Sequence, residues 1–344
     1  MDAFGRRISL DEAAAVVQSA QLHGPLTDAP SAIFHNLHLM QSRLAELKLA
    51  FPPNTLHAIA IKANPVLEIL RAVVQEGCGL EAASIEEVQL ALAAGCPPQR
   101  VIFDSPAKTT AEIRQALDAG IYLNVDNFEE LQRIATELQS RDSNSVVGLR
   151  VNPQVGGGTI SLTSVANADS KFGIPLSTNR AAILEAFASH EWLRGLHIHV
   201  GSQGCAMGLL TDAITIADTL RKEIEQHSGQ VVTHLDIGGG LPTVYQSDLT
   251  APTPAEYVAE IRKRAPDVLS PALQRITEFG RAVQANCGFA ASRVEYYKPA
   301  QQMAVIHLGA DFLLRPVYRA EDWPHEFFVL NAQGLPKTGD TRPV

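Results

Sequence analysis

The chain is 344 residues long, which suits one large barrel or two domains and is too long for one small core. With 37 acidic against 28 basic side chains, its net charge of −9 excludes the basic face that a nucleic-acid groove needs. No apolar run reaches the roughly 18 residues that span a bilayer, and no apolar signal core follows Arg6-Arg7. The four cysteines (Cys78, Cys96, Cys205, Cys287) form no Cys-x-x-Cys pair, which fits a reducing cytoplasm better than a disulfide framework or zinc site.

Residues before about Asp28 are weakly patterned and are expected either to join a second domain or to pack beneath the first. Eight short apolar runs follow, at 56–64, 79–84, 100–105, 121–126, 146–152, 193–202, 233–240 and 274–280. Their length, their Val and Ile content and their bracketing by Gly, Asn or Ser predict buried parallel strands. Between them, Ser84-Ile85-Glu86-Glu87 and Thr109-Thr110-Ala111-Glu112 have capping-box spacing, and Thr253-Pro254-Ala255-Glu256 adds proline at the first helical position. Gly77, Gly95 and Gly120 stand where helix-to-strand turns fall. Eight strands alternating with helices predict a TIM (β/α)8 barrel over 31–281, preceded by an N-terminal segment at 1–30 that could belong to a second domain. A doubly wound open sheet is the alternative. After Gly280 the rhythm changes: 282–298, 303–314 and 326–331 read as strands without helices of comparable length, predicting a β-rich domain over 282–344.

In a barrel the chemistry gathers at the C-terminal ends of the strands. Lys62 closes the first run and Ser84 the second, and Arg150 lies near the end of the fifth. His199 and Ser202 close the sixth, Gly238-Gly239-Gly240 the seventh, and Glu278 with Gly280-Arg281 the eighth. A period of two puts Ala58, Ala60 and Lys62 on one face. This predicts a lysine in the barrel mouth, poorly hydrated and with the lowered pKa that imine formation needs; a solvent-facing lysine is the alternative. The triple glycine and Phe279-Gly280-Arg281 predict anion-binding turns, because barrels often hold phosphate after their last two strands, and Ser202 is placed to add a hydroxyl. Ordinary tight turns are the plainer reading. Glu278 shares the inward face with Ile276 and needs a partner there, either a pyridinium nitrogen or Arg150. His197 and His199 share a face as metal ligands do, but the other strand ends offer only Asp104, Asp126 and Asp236, so no metal is expected.

Five segments resemble, in the same order, the fold-type III decarboxylases, the group containing diaminopimelate, ornithine and biosynthetic arginine decarboxylases. They are Ile61-Lys62-Ala63-Asn64, Ser170-Lys171-Phe172-Gly173-Ile174, His197-Ile198-His199-Val200-Gly201-Ser202-Gln203, Asp236-Ile237-Gly238-Gly239-Gly240 and Glu278-Phe279-Gly280-Arg281. The resemblance runs from about Ala32 to at least Tyr318. It implies a carboxy-lyase that uses pyridoxal 5'-phosphate on a small amino-acid substrate, as a cytoplasmic homodimer with neither nucleic acid nor membrane as partner. It also implies Lys62 as the Schiff-base lysine, His199 stacked on the ring and Glu278 at the ring nitrogen. Ser202, Gly238, Gly239, Gly240, Gly280 and Arg281 would hold the phosphate, and Ser84 and Arg150 complete the candidate cofactor-binding set.

Departures from the pattern bear on the substrate. Gly156-Gly157-Gly158-Thr159-Ile160 and Ser164-Val165-Ala166 stand where diaminopimelate decarboxylases usually carry a Thr-His pair, and Phe279 replaces a usual proline. Arg315-Pro316-Val317-Tyr318 resembles the family's substrate-carboxylate segment with one residue fewer, making Arg315 and Tyr318 the candidate substrate contacts. These features look more like the decarboxylases of siderophore pathways, which act on carboxylated amino-acid conjugates. The family's late Cys-x-x-x-Asp segment has no counterpart before Val344. The expectation is therefore a truncated β-rich domain, or a site lacking its usual Cα proton donor, with weak cofactor binding or little activity and a chain that is monomeric, aggregated or a loosened dimer. Two alternatives remain: a racemase of the same fold type and a non-catalytic regulatory homologue. Glu278 argues against the first, since racemases of this fold usually place arginine at the ring nitrogen. Lys62 and the glycine turns argue against the second.

Overall fold

The computed structural model of the protein describes residues 3–160, 164–245 and 249–337. It divides into two compact units, one built mainly from Gln41–Thr243 and Pro252–Gln284, the other from Gly5–Met40 and the chain from Ala285 onward, with Val244–Ala251. The chain opens with α1 (Leu10–His23), where the Ser9 hydroxyl accepts from the Glu12 N–H while Glu12 accepts from the Ser9 N–H. That reciprocal cap satisfies two amides that a helix start otherwise leaves unpaired. β1 (Ser31–His35) and α2 (Leu37–Ala50) follow.

The first unit is a closed barrel. Its strands are β2 (Thr55–Ala60), β3 (Gly79–Ala82), β4 (Val101–Phe103), β5 (Tyr122–Val125) and β6 (Val147–Asn152). A short β7 (Ile174–Pro175) pairs parallel with the end of β6, and β8 (Leu193–His197), β9 (His234–Asp236) and β10 (Gln274–Thr277) complete the set. The order β2-β3-β4-β5-β6-β8-β9-β10 is parallel throughout and closes with Ile276 of β10 opposite Leu56 of β2. Closure excludes the open doubly wound sheet. Each barrel strand corresponds to one of the eight apolar runs.

Helices α3 (Leu67–Gln75), α4 (Ile85–Ala93), α5 (Thr110–Ala119), α6 (Phe128–Leu138), α7 (Leu176–Ser189), α8 (Met207–Ser228) and α9 (Pro254–Arg264) alternate with these strands. The expected caps of α5 and α9 are complete boxes at Thr109 and Thr253. At α4 the Ser84 hydroxyl accepts from Glu87 N–H, but Glu87 reaches back to the Ala83 N–H instead of closing the box.

Strand alternation builds two layers inside the barrel. Ala58, Ile102, Tyr122 and Ile276 pack together as an apolar floor. Gly148 and Gly195 make room for the Tyr122 ring: a Cβ on Gly195 would lie 2.0 Å from the phenol oxygen. Two residues further along each strand the inward positions are Glu81, Asp104, Asn124, Arg150, His197, Asp236 and Glu278, all buried. An apolar plug thus supports a sealed polar layer just below the C-terminal mouth.

The expected boundaries at 30/31 and 281/282 differ from the observed division. β1 pairs antiparallel with β11 (Gly288–Ser292), Ser31 opposite Ser292, so the segment through Met40 goes with the second unit. The expected strand at 282–298 opens instead on α10 (Arg281–Gln284) and continues, after β11, in β12 (Val294–Lys298). β12 pairs antiparallel with β13 (Met303–Ile306). The strand expected over 303–314 stops at Ile306, and α11 (Leu314–Tyr318) follows. The stretch 326–331 is not a strand; among the described residues its pairing is a single bridge, Leu330 to Pro336. A strand exists only where a neighbour takes its backbone groups, and this apolar run lies largely exposed.

Candidate active site

Lys62 sits in a tight turn just beyond β2, and its Nζ donates to both oxygens of Glu81, each at 2.7 Å. Glu81 is fully buried, whereas 53% of the Lys62 side chain remains accessible. Burial pushes the lysine pKa down, but Glu81 and then Glu278 push it up further, so the group is held above its ordinary value. This corrects the expectation of a lowered pKa. Two unit charges at this separation attract by roughly 6 kcal/mol at an effective dielectric of 20, before screening at the open lysine reduces it. That competes with a desolvation cost of several kcal/mol, and the ion pair wins.

Beneath Lys62 the polar layer is an ion-pair network. Arg150 Nη1 donates to Asp104 Oδ2 at 2.7 Å, and its Nε lies 3.9 Å from Asp126. The Phe172 ring lies 4.6 Å from the guanidinium carbon, which is how the Ser170–Ile174 segment reaches the site. Gly173 takes a positive φ of 70° there, and its N–H donates to Asp126 at 3.0 Å. His197 is sealed in, with Nδ1 3.1 Å from Asp236 and Nε2 3.5 Å from Asp104 and 4.0 Å from Glu278. Burial alone would keep its imidazole neutral, but Asp236, Glu278 and Asp104 together raise its pKa well above the ordinary histidine value. Asp104, by contrast, lies well below the usual carboxylate range: Arg150 and His197 outweigh its burial.

Glu278 is buried, and its Oε1 has no hydrogen-bond partner among the described residues. Its Oε2 lies 3.4 Å from His199 Nδ1. Burial, reinforced by the Asp236 carboxylate, pushes its pKa well above the usual carboxylate range. His199 moves the other way, to about 3, through burial and the nearby Arg150, Lys62 and His197 charges. It is a neutral ring at physiological pH. Of the two partners weighed for Glu278, Arg150 is not one here: it is paired with Asp104 and Asp126, and Glu278 faces the two histidines.

The turn after β9 is packed without clearance. A Cβ on Gly239 would lie 2.3 Å from the Glu278 carbonyl oxygen, and the Gly239 N–H donates to His199 Nδ1 at 3.3 Å. Arg281, at the start of α10, donates from Nε to Ser202 Oγ at 3.1 Å. Gly239→Ala is expected to push this turn and Glu278 apart, costing about 1–3 kcal/mol as overpacking does and weakening cofactor binding and turnover together. Thermal melts and cofactor titration check this against Gly208→Ala, where a methyl meets nothing within 4 Å and neither property is expected to fall.

The structure therefore gathers Lys62, Arg150, His199 and Glu278 at one barrel mouth and joins Ser202 to Arg281. Ser84 uses its hydroxyl to cap α4. Arg315 and Tyr318 lie on α11 of the second unit, where the Arg315 guanidinium stands 4.7 Å over the Trp323 ring. Sequence reasoning missed Glu81, although a carboxylate in phase with Gly79 inside an apolar run was a usable signal. Asp104, His197 and Glu278 bring ligand atoms within 4.8 Å of one another. Arg150 and Asp236 already engage this trio, and we read it as part of the ion-pair network and not as a metal centre. Among the described residues, no helix is long and apolar enough to cross a membrane.

Residues 37–285 match the family model for the pyridoxal-binding domain of pyridoxal-dependent decarboxylases. The diaminopimelate decarboxylase of Vibrio cholerae is 33% identical over 293 residues, covering 82% of this chain and 67% of that protein. The Pseudomonas aeruginosa diaminopimelate decarboxylase is 31% identical over 330 residues, covering 93% and 77%. The crystal structure of diaminopimelate decarboxylase from Helicobacter pylori complexed with L-lysine superposes with a TM-score of 0.76 at 26% identity, covering 85% of this chain and 73% of that one.

Proposed function

Because the chain belongs to the pyridoxal-dependent decarboxylase family, we propose that it removes the α-carboxylate of an amino acid with pyridoxal 5'-phosphate held on Lys62. The observation that carries this reading is the barrel mouth itself. It presents an amine on a buried carboxylate and, opposite in role, a buried glutamate with one oxygen unengaged. These groups fit the cofactor: Lys62 for its aldehyde, Glu278 Oε1 for its ring nitrogen, neutral His199 for its ring face, and Ser202, Arg281 and the turns at Gly238–Gly240 and Gly280 for its phosphate. When bound, the cofactor supplies an electron-accepting ring for the pair released as CO2 departs.

The protein's own groups do the rest. Lys62 Nζ must lose a proton before it bonds to a carbonyl carbon, and Glu81, with both oxygens at 2.7 Å and its own pKa raised by burial, is placed to take it. Glu278, its pKa raised by burial, would share a proton with the ring nitrogen at Oε1, the oxygen without a partner among the described residues. The sealed layer of Asp104, Arg150, His197 and Asp236 keeps water from below the site.

Diaminopimelate decarboxylase relatives support a diamino-acid substrate carrying a second carboxylate, with Arg315 and Tyr318 as its contacts. The glycine-rich segment at 156–158, in place of a Thr-His pair, favours a bulkier carboxylated conjugate of the siderophore type as the second reading. A cytoplasmic homodimer accompanies either one. CO2 release from diaminopimelate, ornithine, lysine, arginine and a citrate-linked diamino acid decides the matter. One substrate is expected to exceed the rest, and failure of all five by protein carrying cofactor on Lys62 would sink the decarboxylase reading.

A further inference from the structure

Three buried carboxylates, Asp104 on the β4 end, Asp236 on β9 and Glu278 beyond β10, converge on the single imidazole of His197, at 3.5, 3.1 and 4.0 Å. The charged groups facing it from the neighbouring strands are these three and Arg150, with His199 along its own strand end at 6.4 Å between ring centroids. Arg150 points its guanidinium to Asp104 and Asp126. Within 4.0 Å the basic groups against Glu278 are His197 and the neutral His199, while Arg150 and Lys62 act on it from further away.

We propose that His197 is a positioning residue: as an imidazolium it holds the proton shared between Glu278 and the cofactor's ring nitrogen on the nitrogen. This rests on the proposed role of Glu278. The balance is simple. A protonated Glu278 facing an unprotonated ring nitrogen, and a Glu278 carboxylate facing a protonated one, contain the same atoms and differ only in where one proton sits. Low dielectric makes a neighbouring charge decisive for such an equilibrium. A cation 4.0 Å from Oε2 favours the carboxylate, and hence the protonated ring. Asp236 and Asp104 oppose that transfer on their own, and they also keep His197 charged, as its raised pKa indicates. His197 has no exposed surface, so bulk water cannot substitute for its charge.

The test uses cofactor-loaded protein carrying pyridoxal phosphate labelled at the ring nitrogen. In the wild type the nitrogen resonance should report a protonated ring. In His197→Gln it should move toward the unprotonated value, with borohydride-trapped cofactor still on Lys62, cofactor affinity within about 5-fold, and turnover lower by roughly 10-fold or more. KM should change less than kcat, because the substrate does not touch His197. A ring that stays protonated in His197→Gln, with turnover within about 2-fold, overturns the proposal. If that variant does not fold, the wild type decides: labelled histidine should show both His197 nitrogens protonated in the holoenzyme, and a neutral His197 overturns it. Glu278→Gln separates this proposal from its premise. A ring that stays protonated in Glu278→Gln removes the premise, whereas a response to Glu278→Gln but not to His197→Gln removes only the role of His197.

Discussion

Lys62→Ala is expected to leave no borohydride-stable cofactor on the protein and to reduce turnover by about 10³-fold or more, since no other group offers the covalent anchor. The fold should persist: Lys62 lies in a turn beyond β2, half of its side chain is open, and it contributes nothing to the apolar floor. Stability should nonetheless respond in a pH-dependent way. The variant strands Glu81, fully buried, without its cation. Burial already raises the Glu81 pKa, and losing Lys62 removes the largest influence lowering it. A carboxyl whose folded-state pKa lies above its unfolded value stabilises the fold below the unfolded pKa and loses that contribution as pH rises through the folded one. The melting temperature of Lys62→Ala should therefore approach that of the wild type in mild acid and fall away toward alkaline pH, where the buried Glu81 carboxylate is left without its cation. Peptide mapping after borohydride checks the anchor, and cofactor recovered on another lysine would remove Lys62 from its role.

The barrel was legible because its signals are local and repeated. Each parallel strand is an apolar run of its own, and glycines after helices and Thr-x-x-Glu caps mark the ends between them. The second unit was less legible because its strands depend on partners far away in sequence. β1 has nothing in its own composition to announce β11 as its neighbour, some 250 residues on. The apolar run at 326–331 looks like a strand and finds only one bridge. The start of α1 was a different kind of miss, since Ser9 and Glu12 carry the box spacing in plain view.

At the site, strand phase located the lysine, the histidines and the glutamate, but not their electrical state. Lys62 was expected to lose its proton through burial. It instead keeps it, because Glu81 faces it from the adjacent strand, in register through the Ala60–Glu81 pair. Arg150 was one of two partners weighed for Glu278, and Asp104 takes it. In both cases the deciding partner comes from a neighbouring strand, and cross-strand pairing is what a single strand's periodicity cannot show. The same limit hid the electrical state of His197, which three carboxylates from other strands set.

Glu278→Gln is expected to lower turnover by about 10²-fold or more while changing cofactor affinity by less than roughly 10-fold. The amide keeps the size of the side chain and leaves the backbone unchanged, so the packing of the Glu278 carbonyl against the Gly239 turn should survive. What it loses is the exchangeable proton at Oε1, the atom with no partner among the described residues. Affinity should hold because Ser202, Arg281 and the glycine turns remain for the phosphate and Lys62 remains for the aldehyde. Stability should hold too, because burial disfavours a charge at this position, as the raised Glu278 pKa shows, and a neutral amide of the same size avoids that cost. The melting temperature should thus be equal to or above that of the wild type, which a structural anchor would not allow. Comparable losses in affinity, turnover and melting temperature would make Glu278 a packing residue. Arg150 would be a minor contributor to such a result, because its direct partner is Asp104 at 2.7 Å. A selective fall in kcat, with cofactor still bound and the protein still stable, is the outcome that proton delivery from Oε1 requires.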